Sequence, residues 1–235
     1  MNKIKGQGSS TCAISLLLSA ALLCSQGVRA NTAETLLHTI EPQQLALLTG
    51  AEYASVAELT ENLNSERYSS VILVKHLLNR IHSLDTNGPA INAIIELNPN
   101  ALDIAAARDQ ERLSGQLRGP LHGIPVLIKD NIQTSDNMQT SAGSLALVGQ
   151  PATEDAFIIQ QLREAGAVIL GKTNLTELAG FRDPDIPSGW SARGGQTKNP
   201  HKLSADPCGS STGSAAAAAA GFAPLTVGTE TNGSI

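Results

Sequence analysis

The stretch DAFIIQQLREAGAVILGKTN, residues 155 to 174, joins a helix pattern directly to a strand pattern. Its first thirteen residues repeat apolar side chains at helical spacing, whereas AVILGKTN (167–174) is a short apolar run typical of a buried strand. A second run of that kind, GIPVLIKD (123–130), lies upstream. Strand, helix and strand in this order predict an α/β fold with a parallel or mixed β-sheet covered by helices.

Further elements are predicted on either side of this unit. Ser55 and Glu58 have the spacing of a capping box, which predicts the start of a helix. A longer amphipathic helix is predicted from about Ser69 to DTNGP (85–89). The other predicted elements are a short strand NAIIEL (92–97), a helix within NPNALDIAAARDQERLSG (98–115) and a third apolar strand in LTVGTETNGS (225–234). Continuous apolar strands predict burial on both faces of the sheet.

The N-terminus predicts a removable export signal. Lys3 and Lys5 precede an apolar run of 12 residues, AISLLLSAALLC (13–24), which is too short for a comfortable transmembrane anchor. VRA (28–30) then provides the small residues of a cleavage site. We therefore expect a signal peptide at 1–30 and an exported protein, periplasmic or secreted, with no membrane partner after cleavage. A lipid-modified cysteine at position 24 is disfavoured because a bulky leucine precedes it.

Composition excludes several function classes. The chain has 235 residues, of which 41% are hydrophobic and 16% charged, so it can form one substantial core. Removal of residues 1–30 leaves 13 Lys and Arg against 21 Asp and Glu, a net charge of −8, which disfavours nucleic acid as a partner. Cys208 then remains as the single cysteine, so no internal disulfide is expected. No His or Cys pair has the spacing of metal ligands.

Lys129 is the first residue that the scaffold does not explain. It ends a predicted strand, where open α/β sheets place ligand sites, although an isolated lysine there would reach solvent or pair with Asp130. Two later stretches favour a chemical role. CGSSTGSAAAAAAG (208–221) sets a Gly-Ser loop before a helix of small residues, and GTETNGSI (228–235) sets a glycine-flanked serine after a strand. Together with the lysine, these serines would make a serine hydrolase that needs no histidine.

KDNI (129–132), GSSTGSA (209–215) and GTETNGSI (228–235) resemble, in this order, the amidase signature family. GPLHGIPVLIKDNI (119–132) also sits where the family pattern has it, and SGWSARGGQTKNP (188–200) looks most like the bacterial peptide amidase branch. The resemblance implies a mixed β-sheet core covered by helices on both sides. It also implies hydrolysis of linear carboxamides, small or peptidic, to carboxylate and ammonia through a serine acyl-enzyme, with no metal and no cofactor.

The resemblance implies a role for each residue of the site. The three implied catalytic side chains are the nucleophile Ser234, the bridging Ser210 and the base Lys129. The three implied backbone donors of the oxyanion hole are Thr231, Asn232 and Gly233. Gly209 would precede a cis peptide bond in this family. Ser211 would either hydrogen bond the lysine or cap the alanine-rich helix, and its preference for N-cap positions favours the cap.

The chemistry places a condition on the surroundings of the lysine. A lysine accepts a proton only when it is neutral, and burial without a paired carboxylate lowers its pKa towards that state. The carboxylate of Asp130 is therefore predicted to point away from Lys129. Asn232 and Thr212 stand where many family members have glycine, and neither change removes a backbone donor.

Two other residues are candidates for nucleophilic catalysis. His122 could belong to a Ser-His-Asp triad, but it precedes the strand instead of following it, which favours a structural or loop histidine. Cys208 could be a thiol nucleophile, but without a matching histidine motif it is interpreted as a small packed residue beside the loop.

The resemblance also bears on domain organisation. Family members are longer and have further strands after the nucleophile, so residues 31–235 are interpreted as the N-terminal portion of a single amidase signature domain, an incomplete version of the fold. The alternative is a truncated, catalytically inactive remnant or a secreted binding protein of the same fold.

Overall fold

The computed structural model describes residues 40 to 235, so the signal peptide expected at 1–30 lies outside the described part of the chain. Six α-helices and six strands follow one another along it. In chain order they are α1 (Pro42–Leu47), α2 (Val56–Asn64), α3 (Ser70–Ile81), β1 (Ile94–Leu97), α4 (Ala101–Leu113), β2 (Pro125–Lys129), α5 (Phe157–Glu164), β3 (Val168–Thr173), β4 (Trp190–Ser191), β5 (Gly195–Gln196), α6 (Thr212–Ala219) and β6 (Leu225–Val227).

The main sheet is mixed, as the strand and helix order predicts. Its four strands lie in the order β1-β3-β2-β6. β2 runs parallel to both β3 and β6, whereas β1 pairs with β3 in the antiparallel direction. β4 and β5 form a separate two-stranded ribbon. The carboxyl ends of β2, β3 and β6 therefore meet at one edge of the sheet, which is where such sheets hold their ligands.

Helices cover both faces of this sheet. Side chains alternate along β2, so that Leu127 packs into one core and Val126 and Ile128 pack into the other. The larger core contains apolar residues of α2, α3, α4 and α6, and the smaller one contains Ile159 and Leu162 of α5. The expectation of helices on both sides of a mixed sheet is confirmed.

The predicted local signals hold at α2 and at α6. Glu58 accepts a hydrogen bond from the Ser55 N–H at 2.8 Å, which completes the predicted capping box. A Cβ atom at Gly213, within α6, would collide with the carbonyl oxygen of Asn174. The small residues of α6 thus let its backbone pack directly against the segment that follows β3.

The third predicted strand is shorter and less buried than its apolar sequence indicates. β2 and β3 are buried along their whole length, but β6 covers only Leu225–Val227 and is half-buried. Among the described residues β6 has only one neighbouring strand, because it lies at the edge of the sheet. Residues 228–234, predicted as part of the strand, form a loop and a bend instead.

The described helices are not membrane spans. None in residues 40–235 has both the length and the apolar character required to cross a bilayer.

Candidate active site

Lys129 lies at the carboxyl end of β2 and is fully buried. Its Nζ atom donates to Ser210 Oγ at 2.8 Å, to Ser211 Oγ at 2.9 Å and to the carbonyl oxygen of Thr229 at 3.1 Å. All three acceptors are uncharged. The amine is thus held by hydrogen bonds without an ionic partner.

Ser210 connects the amine of Lys129 to the hydroxyl of Ser234. Its hydroxyl lies 3.0 Å from Ser234 Oγ, so amine, hydroxyl and hydroxyl form one uninterrupted chain. Ser210 belongs to the loop before α6, and Ser234 to the segment after β6. A backbone hydrogen bond also joins these two segments, since the Ser211 N–H donates to the Ser234 carbonyl at 3.2 Å. The structure therefore brings together the three side chains singled out in the sequence.

The loop around Ser210 has the backbone that the family resemblance implies. The peptide bond between Gly209 and Ser210 is cis. A Cβ atom at position 209 would lie 2.6 Å from Thr176 Oγ1 and 2.8 Å from Thr212 Oγ1. Only glycine fits between these two hydroxyls without displacing one of them.

The electrostatic condition on Lys129 is met. Burial lowers the pKa of its amine to about 8. Asp130 points away, as predicted, and its carboxylate accepts from Ser141 Oγ at 2.6 Å, from the Gly143 N–H at 3.0 Å and from Arg193 at 3.3 Å. Within residues 40–235 no carboxylate forms an ion pair with Lys129. The amine therefore changes between its charged and neutral forms near pH 8, well below the range of an ordinary lysine.

The preferred interpretation of Ser211 is wrong. This residue does occupy the N-cap position of α6, but its side chain makes no capping bond. Its hydroxyl instead accepts from Lys129 and donates to the carbonyl of Thr229 at 3.1 Å. A buried amine with few acceptors competes more strongly for this hydroxyl than an N–H group at the helix start. The other option, a serine that supports the lysine, is the observed one.

The implied oxyanion hole lies in an exposed bend. Thr231, Asn232 and Gly233 all face solvent, next to the buried Ser234. The N–H of Gly233 donates to the side chain of Glu230 at 2.7 Å, a contact that the sequence pattern does not predict. No hydrogen bond of the Thr231 and Asn232 N–H groups occurs within residues 40–235. These two donors are free in the structure, and the third is occupied by a carboxylate.

His122 and Cys208, the two other candidates for nucleophilic catalysis, differ in burial: the histidine is buried and the cysteine is exposed. The ring of His122 bonds the Arg108 carbonyl at 2.8 Å and the Arg118 N–H at 3.2 Å, and it makes no contact with the serines. Cys208 is exposed, so its interpretation as a packed residue is wrong. Its backbone is left-handed, with φ 58°, and is held by bonds to Asp206 and Thr212. Hydrogen bonds thus anchor the backbone of this exposed cysteine.

Three further residues were not identified from the sequence: two are linked to the amine by hydrogen bonds, and one lies on the neighbouring strand β3. Thr229 contributes a backbone carbonyl, for which no residue type is diagnostic. Asn131 donates to Thr229 Oγ1 at 2.9 Å, and Lys172 is a second fully buried lysine with a pKa lowered to about 8. Lys172 could have been found by the criterion used for Lys129, because it also stands near the end of an apolar strand.

Ser234 opens onto a cavity of about 480 Å³. The wall of this cavity combines the serine loop with small and apolar side chains, among them Pro207, Ala215 and Ile235. Such a space admits an acyl or amide group to the hydroxyl of Ser234. Among the described residues no group of three His, Cys, Asp or Glu side chains is placed to hold a metal ion.

Known proteins are similar to this chain in sequence and in fold. The profile of the family described as Amidase matches residues 73–235. A protein of Arabidopsis thaliana named a probable amidase is 43% identical over 224 residues, which cover 94% of this chain and 41% of that protein. A glutamyl-tRNA(Gln) amidotransferase subunit of Symbiobacterium thermophilum is 40% identical over 183 residues, covering 77% of this chain and 36% of the relative.

A solved structure agrees closely. The native peptide amidase from Stenotrophomonas maltophilia is 56% identical and matches with a TM-score of 0.76, over 77% of this chain and 37% of that one. The chain thus spans about two-fifths of the length of the relatives it matches. Since the family profile covers well over half of the chain, the protein belongs to the amidase signature family.

Proposed function

We propose that the protein is an exported amidase that hydrolyses linear carboxamides, including the C-terminal amides of peptides, to carboxylate and ammonia. The observation that carries this proposal is the hydrogen-bonded chain from Lys129 through Ser210 to Ser234. Support for the reaction type comes from the family membership, and support for peptide amides from the likeness to the peptide amidase structure.

Acylation begins with proton transfer along the chain. The Ser234 oxygen attacks the amide carbonyl carbon while its proton passes to Ser210, and the Ser210 proton passes to the neutral amine of Lys129. The tetrahedral intermediate then collapses. The C–N bond breaks, the nitrogen takes back one proton along the same route, and ammonia leaves an ester on Ser234.

Deacylation repeats these steps with water. The water oxygen attacks the ester carbonyl as its proton passes through Ser210 to Lys129, and the Ser234 oxygen then leaves with that proton. The product is a carboxylic acid, which ionises in solution. Lys129 ends the cycle neutral, as it began, so no cofactor enters the balance.

Backbone N–H groups stabilise the two tetrahedral intermediates in this proposal. Thr231 and Asn232 supply free donors, and Gly233 supplies a third when Glu230 releases it. The charge that develops on the carbonyl oxygen would then be bound by fixed dipoles beside the nucleophile.

Two features favour an exported amidase over an amidotransferase subunit. The predicted signal at 1–30 and the net charge of −8 after its removal both argue against a role in tRNA amidation, despite the amidotransferase relative. Recovery of the protein from the periplasm or medium with Asn31 as its first residue would support export. An uncleaved protein in the cytoplasm would contradict it.

The activity is tested by measuring ammonia release from a peptide amide by the purified protein. We expect release by the wild type, and its loss in Ser234→Ala and Lys129→Met. Ser204→Ala and Lys202→Met are matched controls. Both residues are exposed, so these two variants should retain activity. A folded wild type that releases no ammonia from any carboxamide would instead support the alternative of an inactive remnant or binding protein.

A further inference from the structure

We infer that Asn131 is a positioning residue that orients the amine of Lys129 through Thr229. The inference rests on the proposed function, since it assigns a task to Asn131 in the proton transfer. Asn131 donates from Nδ2 to Thr229 Oγ1 at 2.9 Å. The carbonyl of the same threonine accepts from Lys129 Nζ at 3.1 Å. One side-chain amide thus holds the residue that holds the base.

The hydrogen-bond pattern decides where the lone pair of the neutral amine points. A neutral lysine has two N–H donors and one lone pair, and it has three partners here: Ser210, Ser211 and Thr229. The Thr229 carbonyl can only accept. The hydroxyl of Ser211 donates to that carbonyl at 3.1 Å, so towards the amine it also acts as an acceptor.

Both N–H groups of the amine are therefore taken by Ser211 and Thr229. The lone pair is left for Ser210, which is the direction that proton transfer from Ser234 requires. The Thr229 backbone fixes both acceptors, because its N–H also donates to Ser211 Oγ at 3.2 Å. A shift of Thr229 would misdirect both N–H groups and turn the lone pair away from Ser210.

Thr229 needs such an anchor because it lies beyond the end of β6, in a half-buried loop. Asn131 is well suited to provide it, since its own segment is fixed at the next residue. The Ile132 N–H donates to the Lys129 carbonyl at 3.0 Å, and the Ile132 carbonyl accepts from Lys172 Nζ at 2.6 Å. Hydrogen bonds to β2 and β3 thus fix the segment of Asn131, and Asn131 in turn fixes the loop that contains Thr229.

Kinetics of four variants test the inference. In Asn131→Ala and Thr229→Val we expect kcat to fall about tenfold, with KM within about twofold, because geometry at the base is lost while the substrate cavity is kept. The double variant should be no slower than the slower single variant, since both changes break one link. Thr229→Ser keeps the hydroxyl and should retain activity. Gln133→Ala, an exposed neighbour in the same loop, is the control.

Titration of Lys129 provides a readout that does not depend on turnover. We expect NMR of ¹³C-labelled lysine side chains to show a lower pKa for Lys129 in Asn131→Ala. The unanchored Thr229 carbonyl would move away from the amine, and a weaker bond to this acceptor destabilises the charged amine more than the neutral one. The acid limb of the kcat profile should move in the same direction. A merely structural role would lower stability without moving either value.

The outcomes separate the two proposals. If the wild type releases no ammonia, or if Ser234→Ala still releases it, the proposed function fails, and the Lys129 titration still decides whether Asn131 positions the amine. If the wild type is active but Asn131→Ala and Thr229→Val leave kcat and the titration unchanged, the inference is overturned. Additive losses in the double variant would also overturn it. Should Asn131→Ala not fold, Thr229→Val alone carries the same test.

Discussion

Lys129 and Lys172 are two buried lysines on adjacent strands of one sheet. Lys172 on β3 pairs with Ile128 on β2, one position away from Lys129. Both side chains are fully buried, and burial lowers the pKa of each to about 8. They differ in what surrounds them. Lys129 bonds two serine hydroxyls and a carbonyl, whereas Lys172 bonds the Ile132 carbonyl and Thr140 Oγ1.

A lowered pKa therefore does not by itself identify a base. The charges of Asp130, Asp136 and Glu96 partly oppose the effect of burial on the pKa of Lys172, and none of them acts on Lys129 in this way. The hydrogen-bonded chain to Ser234 also starts at Lys129 and not at Lys172. We interpret Lys172 as a structural residue that holds the loop after β2 by hydrogen bonds, and Lys129 as the base.

The largest expected effect is on turnover. Lys129→Met should lower kcat by about 10³-fold or more, because removal of a general base abolishes the proton relay. Lys172→Met should cost less than about tenfold. Ammonia release under saturating peptide amide measures both. Comparable losses in the two variants would erase the distinction between them.

For stability, the order of the two variants should be reversed, with the larger loss in Lys172→Met. Lys172→Met removes the short bond to the buried Ile132 carbonyl and leaves it only the 3.4 Å bond from Thr140 Oγ1, so it should lower the free energy of unfolding by about 2 kcal/mol. Lys129→Met should change it by less than about 1 kcal/mol, because Ser211 and Thr229 remain bonded to each other. Urea denaturation of the two variants compares these values. A larger loss for Lys129→Met would identify it as the structural lysine.

The pH dependence sharpens the comparison further. The proposed base acts as the neutral amine, so kcat/KM should rise with pH through about 8 and level off above it. Lys172→Met should leave this limb in place. Both pKa values lie below the unfolded value of about 10.4, so stability should rise with pH between about 8 and 10.4, and each variant should lose part of that slope. An acid limb that moves with Lys172 would assign the base differently.

A smaller effect comes from one hydroxyl beside each amine. Ser211→Ala removes an acceptor of Lys129 and should lower kcat about tenfold. Thr140→Val removes the corresponding acceptor of Lys172 and should leave kcat within about twofold. Steady-state kinetics of this matched pair measures whether the surroundings of only one lysine matter for turnover.

The sequence predicts the parts of the molecule that depend on residue type and period. Apolar runs locate β2 and β3, the capping box locates α2, and the family motifs single out Lys129, Ser210 and Ser234. The antiparallel pairing of β1 and the early end of β6 depend on neighbouring strands, which a local pattern does not contain. The boundaries of β6 were wrong for this reason.

Two kinds of feature within the site could not be predicted from the sequence. One is a hydrogen bond made by a backbone atom, and the other is the choice of a side chain between two hydrogen-bond partners. The Thr229 carbonyl has no residue signature, and the bond from Gly233 to Glu230 depends on the shape of the bend. Ser211 could satisfy either the helix start or the amine, and only the position of Lys129 decides between them. Lys172 was missed because a second lysine at a strand end had no motif beside it.

In the proposed mechanism, a neutral Lys129 activates Ser234 through Ser210. Mass spectrometry of the acyl-enzyme, formed by a rapid mix with a slowly deacylating substrate, tests it most directly. We predict acylation of the peptide that contains Ser234 in the wild type, at a rate that rises through about pH 8, and its absence in Ser210→Ala and Lys129→Met. Acylation at another residue, or at an undiminished rate in Lys129→Met, would contradict the account.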